Sequence, residues 1–395
     1  MYTHSHPYTT LLSHLNAHLP HSGPLYRRIQ YQASHPSSTA HVLVSFPETS
    51  AGNEHGSDSD REPWLAAYAD IHRGPDTQVW LFSSIESSVN LGDGISNGNG
   101  NTNISQLNSH SREITKTHLL SLFTYIQTTL VPPYVSSLPT TTLQPTVPST
   151  VDEGVPKIPA HKSTSYLLGT VNTTLESLIV ELRDEGKLTI HRGAGVHYVK
   201  YCFSSEAFAD HSSLLEEKEK ENSKEGGGGG YRFRDSSGIL GIQDHHINLV
   251  KNRTNIPRSR EALLAMGGVA LYHDDPSSQP GSSPPPPPPF DKEGREMPIA
   301  WAFLGFDGSL CSLHVEPEHR GCGLAGVVGK EVMKRGVEVF EPGDEPVGGS
   351  GPQSKSEEWY FADVAVDNAA SRRVMEKMGG VARWRVAWMV VEVEK

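Results

Sequence analysis

The stretch SLCSLHVEPEHRGCGLAGVVGKEVMKRG, from Ser309 to Gly336, sets the tightest limit on how this chain can fold. SLCSLHV reads as a strand, the proline and arginine of VEPEHR break it, and from LAGVV onward apolar residues recur at helical spacing. A strand must therefore end and a helix begin within one short loop, with Gly321 and Gly323 at the join. A helix start carries unpaired N–H groups and a partial positive charge, so such a join can hold an anion.

The rest of the chain is consistent with that unit. Five segments are too rich in Gly, Ser, Pro and charge to enter a core, and they read as disordered insertions. They are NLGDGISNGNGNTNIS from Asn90, the stretch Pro139–Pro159, EEKEKENSKEGGGGG from Glu216, PSSQPGSSPPPPPP from Pro276, and EPGDEPVGGSGPQSKSEE from Glu341. Between them short strands and helices are mixed. TAHVLVSF, TQVWLFSS, GVHYVKYCF, GGVALYH, IAWAFLGF and WYFADVAV read as strands, and RWRVAWMVVEV as a closing strand. EITKTHLLSLFTYIQTTL reads as an amphipathic helix ended by Pro132 and Pro133. SYLLGTVNTTLESLIVELRDEG reads as strand then helix, and LLSHLNAHLP, INLVKNR, RSREALLAM and NAASRRVMEKMGG as helices. The expected class is α/β with a mixed sheet of α+β character.

Composition narrows the functions. A formal net charge of −12 argues against nucleic-acid or anionic-membrane partners. Three cysteines without a CxxC argue against a disulfide framework or zinc ribbon, and DHH (Asp244, His245, His246) lacks metal-ligand spacing, so no metal is expected. The first residues resemble neither a secretory nor a transit peptide, and no apolar run approaches the roughly 20 residues of a membrane span. A cytoplasmic, reducing location is the expectation.

Three anion sites compete for the glycine junction. Gly321, Gly323 and Gly326 spell the GxGxxG of dinucleotide folds, with Glu341 downstream. Only roughly 50 residues follow Glu341, too few for the rest of a doubly wound sheet, and EPEHR separates the strand from the first glycine. A P-loop fails because Lys330 lacks the required glycine before it and is followed by Glu331. The third reading is a pyrophosphate held by the backbone of Gly321 to Ala325, where small residues allow close approach. Hydrogen bonds to charged groups contribute roughly 1.5–3 kcal/mol each, so a few of them anchor such a ligand.

VEPEHRGCGLA resembles the acyl-CoA-binding R/Q-x-x-G-x-G/A motif of the GNAT superfamily of N-acetyltransferases, with Arg320, Gly323 and Ala325 in the specified places. VAVDNAASRRVMEKMGG resembles that superfamily's second motif, with Asn368 at the strand-to-helix break. MPIAWAFLGFDGSLCSLHVEPEHRGCGLA is similar to the glycine N-acyltransferase-like branch, and LNAHLPHSGPLYRRI…HVLVSFPE to that branch's N-terminal half. The resemblance covers Pro298–Lys395 strongly and Tyr8–Phe82 less so.

The resemblance implies a GNAT acyltransferase fold in the C-terminal half and a degenerate copy in the N-terminal half. The units are an acceptor-side domain over 1–212, a charged linker over 213–231 and the acyl-CoA-binding domain over 232–395. It implies acetyl-CoA or another acyl-CoA as co-substrate and a small amine or amino acid as acceptor. Acyl-CoA contacts fall to Leu313, His314 and Val315 at the strand end, to Arg320, Gly321, Cys322, Gly323, Leu324 and Ala325 at the junction, and to Asn368. Arg372, Arg373 and Lys377 stand where a 3′-phosphate could be met, or are surface charge.

Two usual catalytic side chains are missing. Relatives often carry a Glu eleven residues before the motif Arg, which here is Ser309, and a Tyr in the second-motif helix, which here is Met375. The catalytic residues therefore stay open, and the alternative to an enzyme is a non-catalytic acyl-CoA-binding protein. Strand alternation puts Ser309, Cys311, Leu313 and Val315 on one face, with His314 on the other as a core residue. Asp307 reads as a turn former, Cys311 as a small core hydrophobe, Arg258 as loop charge, and the aromatics of RWRVAWMVV as core.

Overall fold

A computed structural model describes residues 1–48, 62–87, 107–139, 157–204, 230–273, 290–340 and 359–393. All five low-complexity segments fall wholly or mainly outside the described residues. In the first part of the chain the strands are β1 (Tyr2–Thr3), β2 (His41–Val44), β3 (Leu65–Ala69), β4 (Val79–Ser83), β5 (Tyr166–Asn172), β6 (Thr189–Arg192) and β7 (His197–Ser204). The second part supplies β8 (Tyr231–Arg232), β9 (Gly267–His273), β10 (Ala300–Leu304), β11 (Ser309–Val315), β12 (Trp359–Ala365) and β13 (Val381–Glu392). The long helices are α1 (Gly23–Ser34), α2 (Ser109–Tyr125), α3 (Thr173–Asp184), α4 (Leu324–Phe340) and α5 (Ala369–Lys377).

These strands form one mixed sheet in the order β1-β2-β3-β4-β5-β13-β7-β12-β11-β10-β9-β8, with β6 beside β13. The mixed α/β class read from the sequence is what the chain adopts. Each half repeats one pattern. Antiparallel strands lead to a parallel pair joined through a helix: β4 to β5 through α2, and β11 to β12 through α4. A second helix, α3 or α5, then leads to a closing strand.

Those closing strands are exchanged. β7, from the first half, pairs with β12 of the second, and β13, from the second, pairs with β5 of the first. β7 and β13 then pair with each other along the centre. Neither half completes its own sheet, so the ladder hydrogen bonds of each depend on the other. Leu324, Val328, Val332 and Met333 of α4 pack over the β9–β12 side of the sheet, while Leu119, Leu122 and Phe123 of α2 and Leu175, Leu178 and Ile179 of α3 cover the β4, β5 and β13 side.

The sequence reading needs correction at α2. Pro132 and Pro133 do not end the helix: a π-helical turn, Ile126–Leu130, follows α2, and Val131–Ser137 continues as an α-helix. The prolines fall in the first turn of that new segment, where their missing N–H groups have no intrahelical partner to lose. Five labelled elements lie outside the sequence reading: α1, β1, β3, β6 and β8. β3 (LAAYA) is buried along its whole length, so it lacks the alternation that marks a half-exposed strand.

Candidate functional site

β11 and β12 pair only at Ser309↔Phe361 and Leu310↔Ala362, and beyond that register the two parallel strands part. The opening lies in a cleft of about 760 Å³ that both halves of the sequence line. Leu313, Asn368 and Met375 border it from the second half, as do Arg73, Asp76, Trp80 and Leu167 from the first.

A bulge shapes the β11 wall. Trp301↔His314 is followed by Phe303↔Cys311, so β11 carries one residue more than β10, and Ser312 adopts φ +50°. The extra residue of a bulge has no ladder partner and inverts the alternation beyond it. This overturns the expected faces: His314 shares a face with Cys311, and Leu310 shares one with Val315. His314 nevertheless does not border the cleft. Its ring stacks on Trp301 at 4.6 Å, with Nε2 3.6 Å from Glu316 Oε2, too long for a hydrogen bond.

The junction beyond β11 has the geometry its glycines suggest. Gly321 and Gly323 have φ of +85° and +75°, a region that strains most L-residues. Arg320 folds back and donates from Nε to the Val315 carbonyl at 2.9 Å. Gly321, Cys322 and Gly323 are exposed, Leu324 is buried under the sheet, and Ala325 is half-buried at the first turn of α4. Asn368 caps α5: its Oδ1 accepts from Ser371 N at 3.0 Å. Arg372 is held by Tyr201 and the Val366 carbonyl, whereas Arg373 and Lys377 are exposed.

At the two places where relatives carry catalytic side chains, Ser309 is buried with its Oγ unpartnered among the described residues, and Met375 is core. Cys311 lies against Met266, Sγ to Sδ 3.8 Å, and burial pushes its thiol up, so it packs as a small apolar side chain. Arg258 borders the cleft and its Nε has no hydrogen-bond partner among the described residues.

The polar centre of the cleft was not read from the sequence. Asp363 on β12 lies 2.6 Å, Oδ1 to Nζ, from the fully buried Lys200 of β7. Trp388 of β13 donates from Nε1 to Asp363 Oδ2 at 3.3 Å. Burial pushes the Asp363 carboxyl up, and the Lys200 ammonium pulls against it. Asp307, buried in the β10–β11 turn, accepts from Ser309 N at 3.1 Å and from Trp80 Nε1 at 3.1 Å. Asp307 is thus a turn former that also ties the halves together. Trp388, expected in the core, stands in the cleft wall instead. An alternating strand such as RWRVAWMVV does not announce which of its faces meets a cavity.

Among the described residues, no group of three or more His, Cys, Asp or Glu is arranged to hold a metal ion. His246 instead accepts at Nδ1 from Gln243 N and donates from Nε2 to the Glu296 carbonyl. Nor is any described helix long and apolar enough to cross a membrane.

A parallel pair splayed around a cleft, followed by a glycine-rich helix start, is the arrangement of the GNAT superfamily, and this chain is a member. The family match is direct: residues 1–201, just over half the chain, match the model described as the acyl-CoA N-acyltransferase verG N-terminal domain. The chain belongs to that acyl-CoA N-acyltransferase family, and membership supports an acyltransferase activity with an acyl-CoA co-substrate. No curated protein sequence matches it significantly. Solved structures with a similar outline include a Drosophila protein, 12% identical with a TM-score of 0.49, over 98% of this chain and 97% of that one. A GCN5-related N-acetyltransferase from Sphaerobacter thermophilus is 12% identical with a TM-score of 0.36, over 88% and 85%. A GCN5-related N-acetyltransferase from Kribbella flavida is 12% identical with a TM-score of 0.31, over 58% and 68%. These likenesses carry no weight beyond the family match.

Proposed function

We propose that the protein is an N-acyltransferase that moves an acetyl or other short acyl group from acyl-CoA to the amine of a small molecule or amino acid. The observation that carries this reading is the placement of the β11–β12 opening beside the glycine junction. In this reading the pyrophosphate lies on the amides of Gly321 to Ala325 at the start of α4, with Arg320 folded beneath. The pantetheine arm follows Leu313, His314 and Val315 into the opening and meets the Asn368 amide. The bulge at Ser312–Leu313 offers an amide freed from the ladder to polarise the thioester carbonyl. Residues 232–395 act as the acyl-CoA unit after a 213–231 linker. Residues 1–212 supply the acceptor side, a division supported by Arg73, Asp76 and Trp80 in the cleft wall. No metal takes part in this chemistry.

A second reading, a non-catalytic acyl-CoA-binding protein, draws support from Ser309 and Met375 standing where relatives carry acid–base side chains. Calorimetric titration with coenzyme A, followed by thiol release from acetyl-CoA over a panel of amines, separates the two. Binding with amine-dependent release supports the enzyme. Binding without release for any amine supports the second reading, and absence of binding removes both.

A further inference from the structure

We infer that Asp363 is the site for the acceptor's ammonium and the base that takes its proton, the role having moved from β11 to the neighbouring strand. The inference rests on the acyl-transfer reading above.

The register makes the case. Parallel partners share a face, so Ser309, at the place of the usual Glu, faces the same way as Phe361 and, two residues on, Asp363. Asp363 is therefore level with Cys311, where the strands begin to part, and it borders the cleft. Ser309 carries no acid–base group, and the carboxylate on this face comes from β12.

The surroundings suit the task. A buried aspartate alone would hold its proton and could not act as a base. Lys200, in register on β7, opposes that burial effect with its nearby ammonium, while Trp388 Nε1 fixes the carboxylate's orientation. The other groups that bear on it are Tyr198 and Cys202 of β7, Thr170 of β5, and Asp307 from the β10–β11 turn. Arg258 acts one step away, on the Cys311 thiol. Asp307 has only the neutral donors Ser309 N and Trp80 Nε1 as hydrogen-bond partners among the described residues.

In the reaction, the acceptor enters as R–NH3⁺ and gives one proton to Asp363. The freed lone pair forms the N–C bond at the thioester carbonyl, and the C–S bond breaks. The second N–H proton ends on the departing sulfur, and Asp363 then returns its proton to solvent. The products are the amide, free coenzyme A and one proton.

Asp363→Asn should lower kcat by about 10²–10⁴-fold, the usual share of a general base, with coenzyme A affinity unchanged in calorimetry. Adding Ser309→Glu to that variant should return part of the rate, since the new carboxylate lies on the same face. Lys200→Gln provides a test that a merely structural role would not pass. Losing the ammonium raises the Asp363 pKa, so the acid limb of kcat/KM against pH should move to higher pH. A folded Asp363→Asn within threefold of the parent kcat would overturn the assignment. So would an unmoved acid limb in Lys200→Gln, which also decides the case if Asp363→Asn fails to fold. A parent protein that binds coenzyme A yet releases no thiol with any amine sinks the acyl-transfer reading, and this assignment with it.

Discussion

Lys200 Nζ and Asp363 Oδ1 stand 2.6 Å apart, with the lysine fully buried and the aspartate side chain 8% exposed. The pair joins β7, a strand of the first half of the sequence, to β12 of the second. Removing one partner of a buried pair leaves an uncompensated charge, whereas replacing both with apolar groups is close to neutral. Lys200→Met should therefore cost about 3–5 kcal/mol, and Lys200→Met with Asp363→Leu should recover most of it. Urea unfolding of both variants checks this. A double variant no more stable than the single one would show that packing, not charge, holds these strands together.

Trp80 and Asp307 make a second bond between the halves. Trp80→Phe keeps the aromatic surface but takes one of the two donors that the buried Asp307 carboxylate has among the described residues. A hydrogen bond to a charged group contributes roughly 1.5–3 kcal/mol, and the loss should fall in that range. A thermal midpoint within one degree of the parent, on the order of a few tenths of a kcal/mol, would contradict it.

Gly323→Asp should abolish coenzyme A binding while the protein stays folded. Aspartate tolerates positive φ better than most side chains, so the strain at φ +75° is modest. Its carboxylate, however, would stand among the amides proposed for the pyrophosphate. Calorimetry on the folded variant decides it, with unchanged affinity counting against the proposed site.

His246 should make the fold acid-sensitive. Burial, together with the neighbouring His245, lowers its pKa from 6.5 to about 4. A protonated Nδ1 would also face the Gln243 N–H that it now accepts. Between those two pH values the unfolded chain binds the proton and the folded one does not, so stability is full above pH 6.5 and falls toward pH 4. The loss should be on the order of 3 kcal/mol, and His246→Gln should flatten that part of the curve. Unfolding free energies measured across the window give the answer.

The sequence by itself determined the strand-to-helix junction, because Pro317, Gly321 and Gly323 act on their own backbone whatever surrounds them. It also determined the mixed α/β class and most strands and helices, since apolar periodicity is a local property. β3 escaped because burial along its whole length removes its alternation, and β1, β6 and β8 because they are very short; α1 does carry a helical stripe, but the buried Arg27 and Arg28 beside Leu25 and Ile29 blur it. Only the tertiary structure decided the exchange of β7 and β13, as strand pairing joins residues far apart in the chain and leaves no mark at either. The same holds for the bulge at Ser312, which turned His314 to the face opposite the one alternation predicts. Asp363 and Lys200 are 163 positions apart, and the burial that makes their charges matter exists only once the two halves share one sheet.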